Sequence, residues 1–232
     1  MTESTGFDAE RAKSYDDRVR QHIPGYEILH ALAETIFAAE LPADASLLIG
    51  GVGTGMEILE WAPKHPGWRF LGVDPSEAMV AQAAQKTAAA SLASRAAFKV
   101  ATLESLPEGA EYDAATLLLA LHFVPDNGHK EAILAAIAHR LKPGAPFLIA
   151  TMFGDPESTR HKRLIGLTKS WALARGMAPA KAEELYDPSR KDLHIVPEER
   201  LKNLLRYTGF IDVQRVYQAL TIGLWLARTP RE

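Results

Sequence analysis

Leu47-Leu48-Ile49-Gly50-Gly51-Val52-Gly53-Thr54-Gly55 decides how the rest of the chain reads. Ser46 to Gly50 is a short apolar run of strand length, and it opens through glycines into Met56 to Trp61, a helical stretch. A strand that turns sharply into a helix needs backbone freedom at the turn. Gly51 allows a tight turn with positive φ. Gly53 lets the backbone approach a ligand with no Cβ in the way, and Gly55 permits close packing where the helix begins. A turn with packing roles alone would use the same residues, so the cluster needs a second observation.

Asp74 supplies it. The next strand is Trp68 to Val73, and Asp74 closes it about 20 positions beyond Gly55, the spacing at which such turns place a ribose-binding acid. A carboxylate there can accept bonds from both ribose hydroxyls of an adenosine. The competing reading is an acid that merely favours the dipole of the helix it precedes. A nicotinamide dinucleotide also fits a glycine turn plus an acid. Its pattern, G-x-G-x-x-G, would put the third glycine at Met56, whereas this chain has it at Gly55.

Outward from this unit, strands and helices alternate. Asp8 to Arg20 is helix-compatible, and Pro24-Gly25 punctuates the chain before a helix from Tyr26 to Ala39 with a stripe of Ile28, Leu29, Leu32, Ile36 and Phe37. Ser76 is a natural N-cap for the helix after Asp74, and the alanine-rich stretch Ala81 to Ala97 continues as helix. Ala97 to Ala101 and Tyr112 to Leu119 are strands three and four, the latter apolar enough to be buried on both faces. Gly128 to Leu141 is a helix stopped by Lys142-Pro143-Gly144, and Pro146 to Thr151 is strand five. The rhythm then breaks. Glu157 to Leu185 reads as one or two helices, Pro197 to Tyr207 as another, and Phe210 to Tyr217 with Ala219 to Ala227 as an antiparallel pair. The class is α/β, a mostly parallel sheet with helices on both faces. The chain is read as one domain: N-terminal helices over 1–40, a ligand-binding core over 41–152, a helical cap over 153–196, and a closing helix and hairpin over 197–232.

Bulk numbers narrow the class. The chain has 232 residues, 47% hydrophobic and 24% charged, the balance of a globular protein. A net charge of −3 exerts no global pull toward nucleic acid. With no cysteine, thiolate nucleophiles and cysteine-held metals are excluded. Met1 to Arg20 has no apolar leader core, and no uninterrupted apolar run is long enough to span a membrane, so a cytoplasmic location is expected. No H-E-x-x-H or similar histidine spacing occurs, and no metal is expected.

Motif after motif resembles class I methyltransferases: the G-x-G-x-G turn, Gly72-Val73-Asp74-Pro75-Ser76-Glu77-Ala78-Met79, Tyr112-Asp113-Ala114-Ala115, Leu121-His122-Phe123, Leu141-Lys142-Pro143-Gly144 and the Gly209-Phe210 unit. The resemblance implies a Rossmann-like class I methyltransferase fold, with a seven-stranded sheet, an antiparallel C-terminal hairpin and a helical cap. It implies an enzyme using S-adenosyl-L-methionine and releasing S-adenosyl-L-homocysteine. Ile23-Pro24-Gly25-Tyr26 and Tyr217 to Gly223 are similar to the bacterial enzymes that carboxymethylate wobble uridine in tRNA from carboxy-S-adenosylmethionine. That family's cofactor contacts map onto Tyr26, Gly51, Val52, Gly53, Asp74, Pro75, Thr102 and Leu103; Gly55, Met79 and Leu118 complete the candidate set. The same likeness suggests a homodimer.

The departures are specific. Ile49 stands where many class I enzymes carry an acid, Thr102 where an aspartate often contacts the adenine amine, and Leu118 where an asparagine is expected. The arginine that would read the extra carboxylate has no counterpart: Tyr186 aligns there, with Arg190 and Lys191 a turn beyond. Ordinary S-adenosylmethionine is the cofactor these features imply.

Methyl transfer leaves a neutral product, so alignment does most of the work and a base is needed only if the acceptor must lose a proton. His122, just past strand four, is the candidate base, with packing near the following helix as the alternative. Arg160 and His161 read as solvated helix charges that could instead line an acceptor pocket. Tyr15 resembles tyrosines that close over such sites, or is a surface residue, and Trp171 and Trp225 read as core. Three functions stay open: methylation of a small molecule, modification of tRNA supported by a basic face of Arg160, Lys162, Arg163 and Lys169, and non-catalytic binding of S-adenosylmethionine.

Overall fold

The computed structural model describes residues 15–109, 111–187 and 190–231, without the side chains of Tyr15 and Asp17. The expected helix over 8–20 therefore lies in part outside the described residues, as does the side chain of Tyr15.

Two helices, α1 (Tyr15–His22) and α2 (Tyr26–Glu40), precede β1 (Ser46–Gly50), α3 (Met56–Trp61), β2 (Arg69–Asp74), α4 (Glu77–Ala89), β3 (Ala96–Val100), β4 (Ala114–Leu118), α5 (His129–Ala138) and β5 (Pro146–Met152). Helices α6 (Thr159–Ala174), α7 (Pro179–Leu185) and α8 (Glu198–Tyr207) follow, then β6 (Ile211–Ala219) and β7 (Ile222–Arg228). The seven strands lie in the order β3-β2-β1-β4-β5-β7-β6. The first five are parallel; β7 runs antiparallel between β5 and β6. This is the expected Rossmann-like class I arrangement.

Strand alternation builds two cores, one on each face of the sheet. Leu47 and Ile49 of β1, with Leu148 and Ala150 of β5, pack against Leu29, Ala33 and Phe37 of α2 and Ile58 and Trp61 of α3. Leu48, Phe147 and Ile149 face the other way, onto Leu134 and Ile137 of α5 and Leu201, Leu204 and Leu205 of α8. All five residues of β4 are buried, as its apolar sequence requires at the centre of a sheet covered on both faces.

Two local expectations change, and a third is narrowed to one of its alternatives. Helix α4 stops at Ala89, and the alanine run then turns through Ser91 at φ +60° before β3. Alanine's helix propensity is overridden because Leu92 is buried in the core that β3 helps cover. On α2 the buried stripe is Tyr26, Leu29, His30, Ala33 and Phe37, while Ile28 is 56% exposed. The long helical segment after β5 is two helices, broken at Gly176, whose φ is +90°.

Candidate active site

The C-terminal ends of β1, β2 and β4 meet where the strand order reverses beside β1, the edge at which open α/β sheets form their crevice. The glycine turn fills that corner. Gly51, Gly53 and Gly55 have φ of +61°, +51° and +86°, which explains why three glycines are required. Their surroundings differ. A Cβ on Gly51 would meet the Ala120 methyl at 2.8 Å, and one on Gly55 would meet the Ala83 methyl at 3.1 Å, so both permit close packing. A Cβ on Gly53 would meet nothing nearer than 4.0 Å, so the backbone there faces open space wide enough for a ligand.

Asp74 does more than its position announced. Its Oδ2 accepts the Gly53 N–H at 3.0 Å and its Oδ1 accepts the Ser76 N–H at 2.9 Å. One carboxylate thus ties the glycine turn to the start of α4, where Ser76 Oγ caps the helix by accepting from Met79 N at 3.3 Å. Burial pushes the Asp74 carboxyl above its usual range, with the two backbone donors acting against it. Each oxygen keeps a lone pair for a further donor.

Tyr26, Gly51, Val52, Gly53 and Leu118 line one small cleft of about 30 Å³, together with His30, Glu57 and Leu119. Leu103 is buried with its Cδ1 2.9 Å from where a Gly50 Cβ would stand, which keeps that position glycine. Pro75 and Thr102 are exposed and lie beyond Asp74, whose carbonyl accepts from Ala101 N at 3.1 Å; Met79 is buried under the turn of α4. Pro75, Met79 and Thr102 do not line the cleft. The departure at Ile49 is fully buried in the core.

A second cavity of about 1270 Å³ opens past the ends of β4 and β5. Leu119 lines both spaces, so they adjoin. Leu119 itself takes φ +60°, a costly backbone for a leucine, and is held there by its N–H to the Ala150 carbonyl at 2.7 Å. His122 sits in the 3₁₀ turn Leu121–Phe123 and lines this cavity. Its Nδ1 lies 3.3 Å from Met152 N, which can only donate, and 3.2 Å from Thr151 Oγ1. Nδ1 is therefore an acceptor, and the ring's proton is assigned to Nε2. Burial, with Lys130 and Arg190 nearby, drops the His122 pKa to about 3. Lys130 fastens this turn by donating to the Leu121 carbonyl at 2.7 Å, and His194 N donates to the His122 carbonyl at 2.7 Å.

His161 corrects an expectation: it is 6% exposed and lines the cavity, while Arg160 is exposed as expected. Its Nδ1 lies 2.3 Å from where a Gly154 Cβ would be, so the glycine admits the ring. Arg190 also reaches the cavity, donating to the Leu185 carbonyl and paired with Asp192. Trp225 is core, edge-on to Phe153; Trp171 is half-buried beneath the Arg175 guanidinium.

Residues that sequence reasoning missed share one feature, partners distant in the chain. Asp16 Oδ1 accepts from Thr54 Oγ1 and its Oδ2 from Lys86 Nζ, both at 2.5 Å, which seats α1 on the glycine turn. Glu57 had a visible signal: it lies four residues before Trp61, so the helix period puts an acid on the buried stripe.

Residues 48–147 match the model of a family described as a methyltransferase domain. No curated protein matches the chain by sequence. Among solved structures, a SAM-dependent methyltransferase of Methanosarcina mazei superposes with TM-score 0.63 at 22% identity, covering 85% of this chain and 98% of that one. A putative O-methyltransferase of Nostoc punctiforme gives 0.69 at 16% identity, covering 95% of this chain but 59% of its own length. A phosphoethanolamine N-methyltransferase of Haemonchus contortus, solved with phosphomonomethylethanolamine and S-adenosylhomocysteine, gives 0.68 at 16% identity over 97% and 58%. At these identities the likeness concerns the fold, and the matched segment spans the glycine turn, Asp74 and β4. Residues 48–147 are thus similar to a methyltransferase domain, and the chain takes the fold of class I methyltransferases.

Proposed function

We propose that this chain methylates a small-molecule acceptor held in the cavity beyond β4 and β5. The observation that carries the reading is the adjacency at Leu119. A cleft built on the glycine turn opens beside a far larger space lined by His122, His161 and Arg190. S-adenosylmethionine, when bound, supplies an electrophilic methyl on a sulfonium, and what the protein must add is alignment. Gly53 leaves room for the cofactor's approach, Asp74 offers its free lone pairs to the ribose hydroxyls, and Tyr26, Val52 and Leu118 form the apolar walls. Pro75 and Thr102, exposed beyond Asp74, extend the same site along the ends of β2 and β3, with Met79 and Leu103 buried behind it.

His122 serves as a donor from Nε2 rather than as a base, because its Nδ1 already accepts from Met152 N. A neutral imidazole that donates can orient an acceptor oxygen without carrying charge. The cavity's rim balances its charges: Lys162 pairs with Glu157 and Lys181 with Glu184. Of the four basic residues that would favour tRNA, Lys162 and Lys169 are each paired with a carboxylate, which weakens that surface for a polyanion. No described helix is long and apolar enough to cross a membrane.

The test offers methyl-labelled S-adenosylmethionine with a small-molecule extract in one arm and total tRNA in the other. Label is expected in the small-molecule fraction. Label in tRNA, or tighter calorimetric binding of NAD than of S-adenosylhomocysteine, overturns the proposal.

A further inference from the structure

Glu57 is a carboxylate with no ion pair among the described residues, and it is 5% exposed. It lines the small cleft beside the glycine turn. No lysine or arginine joins it there; the cleft's other side chains come from Tyr26, His30, Val52, Thr54, Met56, Leu118 and Leu119. Across the cleft, His30 is held neutral by burial, which pulls its pKa to about 4. On the same helix, Glu60 carries charge of the same sign. From β4 the Thr116 hydroxyl lies on Glu57's side, buried and without a hydrogen bond, and Thr116 stands in register with Ile49. Glu57 thus places a carboxylate on the helix that follows β1, whose own Ile49 carries none.

We infer that Glu57 is the counter-ion for the ammonium at the amino-acid end of the bound cofactor. The inference rests on the cofactor reading above and names a residue within it. The volume of about 30 Å³ suits one ammonium-sized group. A buried carboxylate is costly to leave unpaired, and a ligand that brings its own cation removes that cost. The free protein meets the cost differently: burial, reinforced by Glu60, raises the Glu57 carboxyl to about 8, so near neutrality it keeps its proton. When the ammonium arrives, the carboxyl gives that proton to solvent and the ion pair forms. Cofactor binding and proton release are then one event.

Calorimetry in two buffers of different ionisation enthalpy reads the proton directly. Two probes are titrated into wild type and Glu57→Gln at pH 6 and pH 8: S-adenosylhomocysteine, which carries the ammonium, and 5′-methylthioadenosine, which lacks the amino-acid end. In wild type, S-adenosylhomocysteine should release close to one proton at pH 6 and bind about tenfold or more tightly at pH 8. Methylthioadenosine should show neither effect. Glu57→Gln should weaken S-adenosylhomocysteine about tenfold or more at pH 8, abolish the proton release, and leave methylthioadenosine within about twofold. Methylthioadenosine binding also reports that the variant is folded. Unchanged S-adenosylhomocysteine affinity in Glu57→Gln, or proton release that persists in it, overturns the assignment. Failure of both probes to bind wild type overturns the cofactor reading itself, and the Glu57 assignment with it.

Discussion

The two ends of the proposed active site are built by different means. The proposed cofactor end is centred on one continuous stretch, β1 to the start of α4, with Tyr26 and Leu118 as added walls, and backbone groups fasten it: Gly53 N and Ser76 N to Asp74, and Val52 N to the Val73 carbonyl at 3.1 Å. The acceptor end draws on α1, the His122 turn, α6, α7 and the segment around Arg190. Much of what holds its rim is exposed ion pairing, such as Lys162 with Glu157, whose side chains are 58% and 88% exposed. Pairs of that kind contribute about 0–1 kcal/mol. The contrast teaches that the proposed donor site is fixed largely by local geometry, whereas the proposed acceptor site is assembled from pieces distant in the chain and held softly at its rim.

The strongest way to break that contrast is Asp74→Ala. If its carboxylate takes both ribose hydroxyls, two charge-assisted bonds vanish. After water compensates, a net loss of about 2–3 kcal/mol is expected, on the order of 30- to 200-fold in S-adenosylhomocysteine affinity. From position alone, folding would suffer little. The structure changes that expectation, because the Gly53 and Ser76 N–H groups also lose their acceptor. The apo melting temperature should therefore fall too, and Asp74→Asn, which still accepts, should be milder on both counts. Calorimetry and thermal melts on the same preparations check this. Wild-type affinity in a folded Asp74→Ala protein would mean that Asp74 serves only the turn.

How much was legible follows the same division. The turn and the Ser76 cap could be read because each depends on neighbours within a few residues, Asp74 because its spacing from the turn is characteristic, and β1 and α3 begin and end where the local pattern placed them. The mostly parallel character of the sheet followed from the alternation of elements, and its antiparallel close from the two adjacent strand-like runs at the end. The acceptor cavity could not be read. His161 looked like one more charge on a polar helix until Gly154 admitted its ring, and Asp16 gave no sign of reaching Thr54 and Lys86. Ile28 looked apolar enough for the core, yet α2 is rotated so that Tyr26 and His30 face inward instead. Such placements depend on tertiary packing, which periodicity does not encode.

A pH series sharpens the comparison, since each end hides a histidine whose pKa burial pulls down to about 4 or below. Burial holds His30, at the cofactor end, near 4 and His122, at the acceptor end, near 3, against an ordinary value of 6.5. For both, the folded state binds its proton less readily than the unfolded chain. Their stabilisation is complete above pH 6.5 and is lost progressively as pH falls toward those folded values. At pH 5 each should cost about 2 kcal/mol relative to pH 7.5. His30→Gln and His122→Gln should each flatten the fall in melting temperature between those two pH values. A slope that neither substitution changes would place the acid sensitivity elsewhere. The same shift means that turnover should show no inflection near 6.5 from His122.

The smallest effect concerns the residue that joins the two ends. Helix α1 contributes Arg18, Val19 and His22 to the acceptor cavity, while Asp16 anchors the same helix to Thr54 in the glycine turn and to Lys86 on α4. The Asp16–Lys86 pair is part-exposed, at 22% and 29%, so its worth is about 1 kcal/mol or less. Asp16→Asn keeps an oxygen for Thr54 but removes the charge that Lys86 meets. Melting temperature should shift by only a few degrees, whereas amide exchange across 16–22 should quicken about threefold to fivefold as the helix lifts more often. Exchange in α2, whose Tyr26 and Phe37 are buried in the sheet's core, should stay unchanged. The opposite result, equal protection of α1 in wild type and variant, would mean that packing alone seats the helix and that the two ends of the site are coupled by apolar contact rather than by this carboxylate.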